Sequence, residues 1–393
     1  MHKIIPAAPC SCPDSTASRS MTKRLTKLWL GGMKKMLRTP ASRLPAVIAD
    51  AIFAAPPATE AVPPRAASAE GAPHFPWPPR ESRVRPRAAA WAEGEWSRGE
   101  HPLPFVVGRF VSHLGYALYV PDGLPAGAPL VVMLHGCKQD AGQFAQGTRM
   151  NLLADRHGFA VLYPEQSIQA HSHGCWHWYD DTERGGRGEA RAVVDLVDTL
   201  VAARGLDASR VYAAGLSAGA GLATLLALHF PDRFAAIALH SGPAFGDAHS
   251  GITAMDVMRR GLYRAPAAIA DSYAAPGTYP GMPALIVHGD DDSVVSPANA
   301  DHLAIEFLRL NGLADADGEP SGVERIDTQA GEIRLLDYRR DGRPVVRVCH
   351  VAGLDHAWAG GDDTVPFHAS AGPDASTMVW GFFADKQRQT ATI

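Results

Sequence analysis

From residue 129 to the C-terminus the chain is built of short apolar runs separated by longer amphipathic stretches. Pro129-Leu130-Val131-Val132-Met133-Leu134 has no polar member and reads as a strand buried on both faces. Phe159–Tyr163, 210–214, Phe234–Leu239 and Ala284–Val287 repeat the pattern. Between them the period changes to that of a helix, over 141–157, 188–204, 217–229 and 297–311. Ile333–Tyr338 and Val345–Val351 flank the turn Asp341-Gly342, and 373–385 reads as a closing helix. Upstream, Phe105–Val111 and Tyr116–Val120 alternate like a hairpin. Strands alternating with helices predict an α/β fold, with a mostly parallel, doubly wound sheet covered by helices on both faces. No internal repeat is visible.

The first hundred residues follow another rule. In 21–38, Leu25, Leu28, Trp29, Met33, Met36 and Leu37 share one helical face, and Lys23, Arg24, Lys27, Lys34, Lys35 and Arg38 fill the rest. This basic amphipathic helix is expected in a leader, residues 1–54, either docked on the body or in weak contact with an anionic membrane surface. Its lysines interrupt any secretory apolar region. Residues 55–104 are rich in Pro and Ala and read as a linker or pro-segment. The folded domain is expected over 105–393.

Composition narrows the choices little. Of 393 residues, 46% are hydrophobic and 20% charged, enough for a sizeable core. A net charge of -4 gives no reason to expect nucleic acid as a partner. No apolar run reaches the 18 residues or so that a transmembrane helix needs. Five cysteines do not settle the compartment.

The chemistry is concentrated in three loops. Gly215-Leu216-Ser217-Ala218-Gly219 lies between an apolar strand and a helix, the context a nucleophile elbow requires. The tight turn needs small neighbours, which the glycines supply. A serine hydroxyl also needs a base, and the base an orienting acid. His288-Gly289-Asp290-Asp291-Asp292 follows a strand and offers three carboxylates for the acid, of which Asp292 is favoured because His288-Gly289-x-x-Asp292-x-x-Val295 resembles the acid loop of α/β-hydrolases. His356 follows the last strand and offers the base; His350 is placed within that strand, and Asp355 is too close in sequence to orient the ring. The oxyanion donors are expected to be the N–H groups of Ala218 and Cys137, the latter in Leu134-His135-Gly136-Cys137-Lys138-Gln139. His135, Trp176, Trp178 and Trp358 are candidates for the substrate site; each tryptophan reads equally as core, and His135 as a stiffener of its loop. Neither metal nor cofactor is implied.

These segments, with Tyr163-Pro164-Glu165-Gln166-Ser167, Cys175-Trp176-His177-Trp178, Gly188-Glu189 and His356-Ala357-Trp358-Ala359-Gly360-Gly361, make residues 105–385 resemble the polyhydroxybutyrate depolymerase family within the α/β-hydrolases. The resemblance implies hydrolysis of a short-chain polyhydroxyalkanoate, its oligomers or a small ester through Ser217, Asp292 and His356. It also implies export. For Cys137 and Cys175 it leaves two options, a disulfide or two buried thiols. No polymer-binding segment is read after the last helix, which favours amorphous polymer, oligomers or small esters over crystalline polymer. The same triad and fold serve feruloyl- and acetyl-type carbohydrate esterases, and fold does not choose between them. A non-catalytic binding protein on this fold is disfavoured, because all three positions are filled in the correct order.

Overall fold

The computed structural model describes residues 92–104 and 111–388. The expected leader and the amphipathic helix read in it, most of the expected linker and Phe105–Phe110 lie outside these residues.

Ten strands form one open sheet: β1 Glu95–Pro102, β2 His113–Val120, β3 Leu130–Leu134, β4 Ala160–Glu165, β5 Val211–Leu216, β6 Ala236–His240, β7 Ala284–Gly289, β8 Glu324–Ala330, β9 Ile333–Arg340 and β10 Arg343–Val351. Their spatial order is β1-β2-β4-β3-β5-β6-β7-β10-β9-β8. The six from β4 to β10 run parallel, and an antiparallel pair extends each end. The helices are α1 Ala141–Thr148, α2 Met150–His157, α3 Gly186–Arg204, α4 Ala218–His229, α5 Gly251–Arg260, α6 Pro266–Tyr273, α7 Ala298–Leu310 and α8 Ala375–Phe383. Among the described residues, no helix is long and apolar enough to cross a membrane.

Strand side chains alternate between faces, so each fully buried strand feeds two cores. Val131 and Met133, Tyr212 and Ala214, and Leu285 and Val287 point to one face. There they meet Phe144 of α1, Met150 and Leu153 of α2, and Val379, Phe382 and Phe383 of α8. The intervening residues, such as Val132, Ala213 and Ile286, are equally buried and face the layer that contains α4. This is the α/β arrangement, a mostly parallel sheet covered by helices, that the alternating pattern predicts, and the α/β-hydrolase fold that the resemblance implies.

Several boundaries differ from the sequence reading. The hairpin partner of β2 is Glu95–Pro102, inside the stretch read as linker. The helix expected over 141–157 is two helices, because Arg149 turns into the left-handed region at φ 56°. Strand β8 and helices α5 and α6 carried no clear periodic signal.

The parallel strands end together. Leu216 pairs in register with His240, His240 with Val287, and Gly289 with Val351. The loops that follow β3, β5, β7 and β10 therefore share the carboxyl edge of the sheet, where folds of this type place working groups.

Candidate active site

Ser217 joins β5 to α4 at φ 55° and ψ −120°, a conformation that costs an L-residue on the order of 1–3 kcal/mol. Its surroundings hold it there. Its N–H donates to the His240 carbonyl at 2.9 Å, and its carbonyl accepts from Gly221 N–H at 3.0 Å. A Cβ on Gly215 would lie 2.3 Å from the Gly219 backbone, and one on Gly219 would lie 2.0 Å from the Leu134 carbonyl. Both glycines are thus needed for close backbone approach. Ala218 opens α4, so its N–H belongs to the unsatisfied first turn of the helix.

The acid and histidine loops are stitched together by their backbones. Asp290 N–H donates to the Val351 carbonyl at 2.9 Å and Asp291 N–H to the Leu354 carbonyl at 3.1 Å. A Cβ on Gly289 would fall 2.1 Å from that same Leu354 carbonyl. This seam leaves Asp290 and Asp291 exposed and turns Asp292 inward. Asp292 Oδ2 accepts from His356 Nδ1 at 2.7 Å, and Oδ1 accepts from the N–H groups of Val294 and Val295 at 2.9 and 2.8 Å. His288 Nε2 lies 3.4 Å from Oδ2 and 2.8 Å from the Val295 carbonyl. Burial alone would push the Asp292 carboxyl up. The adjacent His356 charge and the hydrogen bonds from His288 and His356 outweigh it and hold the carboxyl well below its ordinary range. Asp292 therefore stays ionised, and the bond to Nδ1 leaves Nε2 of His356 as the ring's other nitrogen.

His240 links the elbow to the histidine loop. Its carbonyl holds Ser217, its Nε2 accepts from Ala359 N–H at 3.1 Å, and its ring stacks on Trp358 with centroids 5.0 Å apart. As an acceptor it must be neutral, and burial keeps its pKa well below the ordinary value. Its only sequence signal was a polar residue ending a buried strand.

The loop carrying Cys137 is also tied at several points. Gly136 N–H donates to Gln139 Oε1 at 2.8 Å, and Lys138 N–H donates to the His173 carbonyl at 2.7 Å. Gln139 Nε2 reaches across to the Pro366 carbonyl at 3.3 Å. Cys137 and Cys175 form a disulfide, which pins this loop to the segment before α3. The bridge closes a sequence separation of 38 residues, and its removal in the Cys175→Ser variant is expected to cost about 2–4 kcal/mol. Chemical denaturation with and without reductant measures this; equal midpoints would contradict it.

Three of the residues considered for the substrate site are held inside the core. His135 and Trp176 are completely buried and Trp358 is 1% exposed. Trp176 Nε1 donates to the His135 carbonyl at 3.0 Å, and Trp358 Nε1 donates to Ser376 Oγ at 3.1 Å. His135 accepts from Gln166 N–H through Nε2 at 3.0 Å and donates to the Gly136 carbonyl through Nδ1 at 2.8 Å. With every polar atom paired, these rings brace the loops, and Trp176 also borders a cavity of about 230 Å³ with Gln166, His177 and Glu189. Trp178 is nearly buried; it packs on Gly221, one turn along α4 from Ser217, and lines a cavity of about 190 Å³ with Tyr179, Phe245 and Tyr273.

The buried histidines give the protein an acid limit. Burial lowers the pKa values of His135 and His240, and brings that of His368 down to about 4. The unfolded chain, with histidines near pKa 6.5, binds protons that the folded one refuses. Their stability is complete above about pH 6.5 and is lost as pH falls below it, by up to about 1.4 kcal/mol per ring per pH unit. The melting temperature is expected to drop steadily from pH 7 to pH 4.5 in calorimetry. A flat profile would contradict this reading.

Residues 114–330 match the family model described as "Esterase PHB depolymerase". The chain belongs to the PHB depolymerase esterase family. It is 36% identical over 245 residues to poly(3-hydroxyalkanoate) depolymerase C of Paucimonas lemoignei, covering 61% of this chain and 57% of that protein. The chain thus spans little more than half of that relative's length. It is 33% identical over 218 residues to feruloyl esterase B of Thermothelomyces thermophilus, covering 52% of this chain and 73% of the relative. The solved acetyl xylan esterase from Aspergillus awamori superposes with a TM-score of 0.56 at 21% identity, covering 73% of this chain and 99% of that one, which supports the fold.

Proposed function

We propose that this family member is a serine esterase that hydrolyses short-chain polyhydroxyalkanoate, its oligomers or a related short ester through Ser217, His356 and Asp292. The observation that carries the proposal is the buried 2.7 Å bond between His356 and Asp292, on the same sheet edge as the strained Ser217. In this reading His356 takes the Ser217 proton and Ser217 attacks the ester carbonyl. The N–H groups of Ala218 and Cys137 hold the oxyanion. His356 then gives its proton to the departing alcohol, and water hydrolyses the acyl-enzyme by the reverse sequence. Asp292 keeps the imidazole in the tautomer that acts as base and stabilises the imidazolium that forms.

The depolymerase relative favours a hydroxyalkanoate substrate, and the feruloyl esterase relative keeps carbohydrate esters as the alternative. The disulfide supports export to an oxidising compartment. The deciding experiment is release of 3-hydroxybutyrate from amorphous polyhydroxybutyrate and its oligomers, beside Ser217→Ala. Release that the variant lacks supports the hydroxyalkanoate substrate. Cleavage of p-nitrophenyl butyrate without such release moves the substrate to small or carbohydrate esters.

A further inference from the structure

We infer that Phe367 forms the subsite for the alcohol side of the ester and that this subsite takes an apolar alkoxy group. The inference rests on the reading of His356 as the base. Phe367 is a bulky residue at φ 63°, in the left-handed region where such a side chain is strained. Its neighbours hold it there. Its carbonyl accepts from Trp358 N–H at 2.8 Å, Ala369 N–H donates to the Trp358 carbonyl at 3.0 Å, and Pro366 accepts from Gln139. Strain of this kind, fixed from both sides, gathers at ligand clamps.

The ring is half-buried and stands edge-on to His356, with centroids 6.4 Å apart and planes at 79°. Among the described residues it is the only aromatic ring in contact with His356. Through Gln139 the same segment touches the loop of Cys137. A base that hands its proton to the departing alkoxide must sit within about 2.6–3.2 Å of that oxygen. The first carbons of the alcohol then lie beside the imidazole, where Phe367 offers an apolar edge. An acyl chain extends from the other side of the scissile bond and has no call on this ring.

Two ester series separate the possibilities. In one the acyl group is butyrate and the alcohol runs from methanol through butanol to hexanol. In the other, p-nitrophenyl esters run from acetate through butyrate to hexanoate. For wild type, kcat/KM is expected to rise along the alcohol series. Phe367→Gly and Phe367→Asn both accept a positive φ and remove the ring. They are expected to flatten that rise by about fourfold per methylene that loses contact, the equivalent of about 0.8 kcal/mol. Phe367→Tyr is expected to retain it, and the slope along the acyl series should stay that of wild type in all three. A flat wild-type alcohol series, an alcohol slope that survives loss of the ring, or equal flattening of both series would overturn the subsite. The Ser217→Ala control separates the two readings. If it remains active, the serine-esterase reading on which the subsite rests fails. If it is inactive and the alcohol slope ignores Phe367, the subsite alone fails.

Discussion

Replacing Ser217 with alanine is expected to lower kcat for p-nitrophenyl butyrate by about 10⁶-fold, as in other enzymes that depend on an activated serine. The melting temperature should stay near that of wild type. Alanine keeps the Cβ, so the backbone strain at φ 55° is unchanged, and the serine is already almost buried without relying on its hydroxyl to cap α4. Ser217→Gly makes the complementary point. Glycine relieves about 1–3 kcal/mol of strain and gives back about 0.5–1 kcal/mol of unfolded-state freedom. It is expected to be equally inactive yet more stable by about 1 kcal/mol. Inactive variants whose stabilities rank in this order separate a residue strained for chemistry from one retained for packing. Full activity in Ser217→Ala would remove the serine from the mechanism.

Asp292→Asn is expected to lower kcat by about 10⁴-fold with little change in KM. The reason lies in its hydrogen bonds. Two backbone N–H groups, from Val294 and Val295, already point at Oδ1. They fix the amide so that its oxygen remains with them and its NH₂ turns toward His356. That NH₂ can only donate to Nδ1, which forces the ring proton onto Nε2, where a base needs a lone pair. Asp290→Asn, by contrast, alters an exposed carboxylate 3.6 Å from His350 and is expected to change kcat by less than about twofold. A larger loss in Asp290→Asn than in Asp292→Asn would reverse the choice of acid.

The parallel core was legible because strands buried on both faces are dominated by apolar residues, as in Leu130–Leu134 and Ala284–Val287. The edge strands were not. Glu95–Pro102 and Glu324–Ala330 are partly exposed along their length and rich in charge, so they lack an apolar run. Only their hairpin partners define them. Within the candidate site, chain order and loop position pointed to Ser217 and His356 and the family resemblance to Asp292; the structure joins Asp292 to His356. The tryptophans stayed ambiguous because the same residue type fills a core and lines a ligand site, and composition cannot separate the two. Phe367 was invisible for another reason. A positive φ at a non-glycine residue is imposed by tertiary bonds, here from Trp358 and Gln139, and leaves no trace in the local sequence.

The central claim is that Ser217 is the nucleophile, and covalent capture reads this most directly. The folded protein would be treated with a p-nitrophenyl alkylphosphonate, followed by intact mass and peptide mapping. The expected result is one phosphonyl group per chain, carried by Ser217, appearing in step with loss of esterase activity and much more slowly in Asp292→Asn. An inactivated protein labelled at another residue, or an active one that never takes up the group, would contradict the claim.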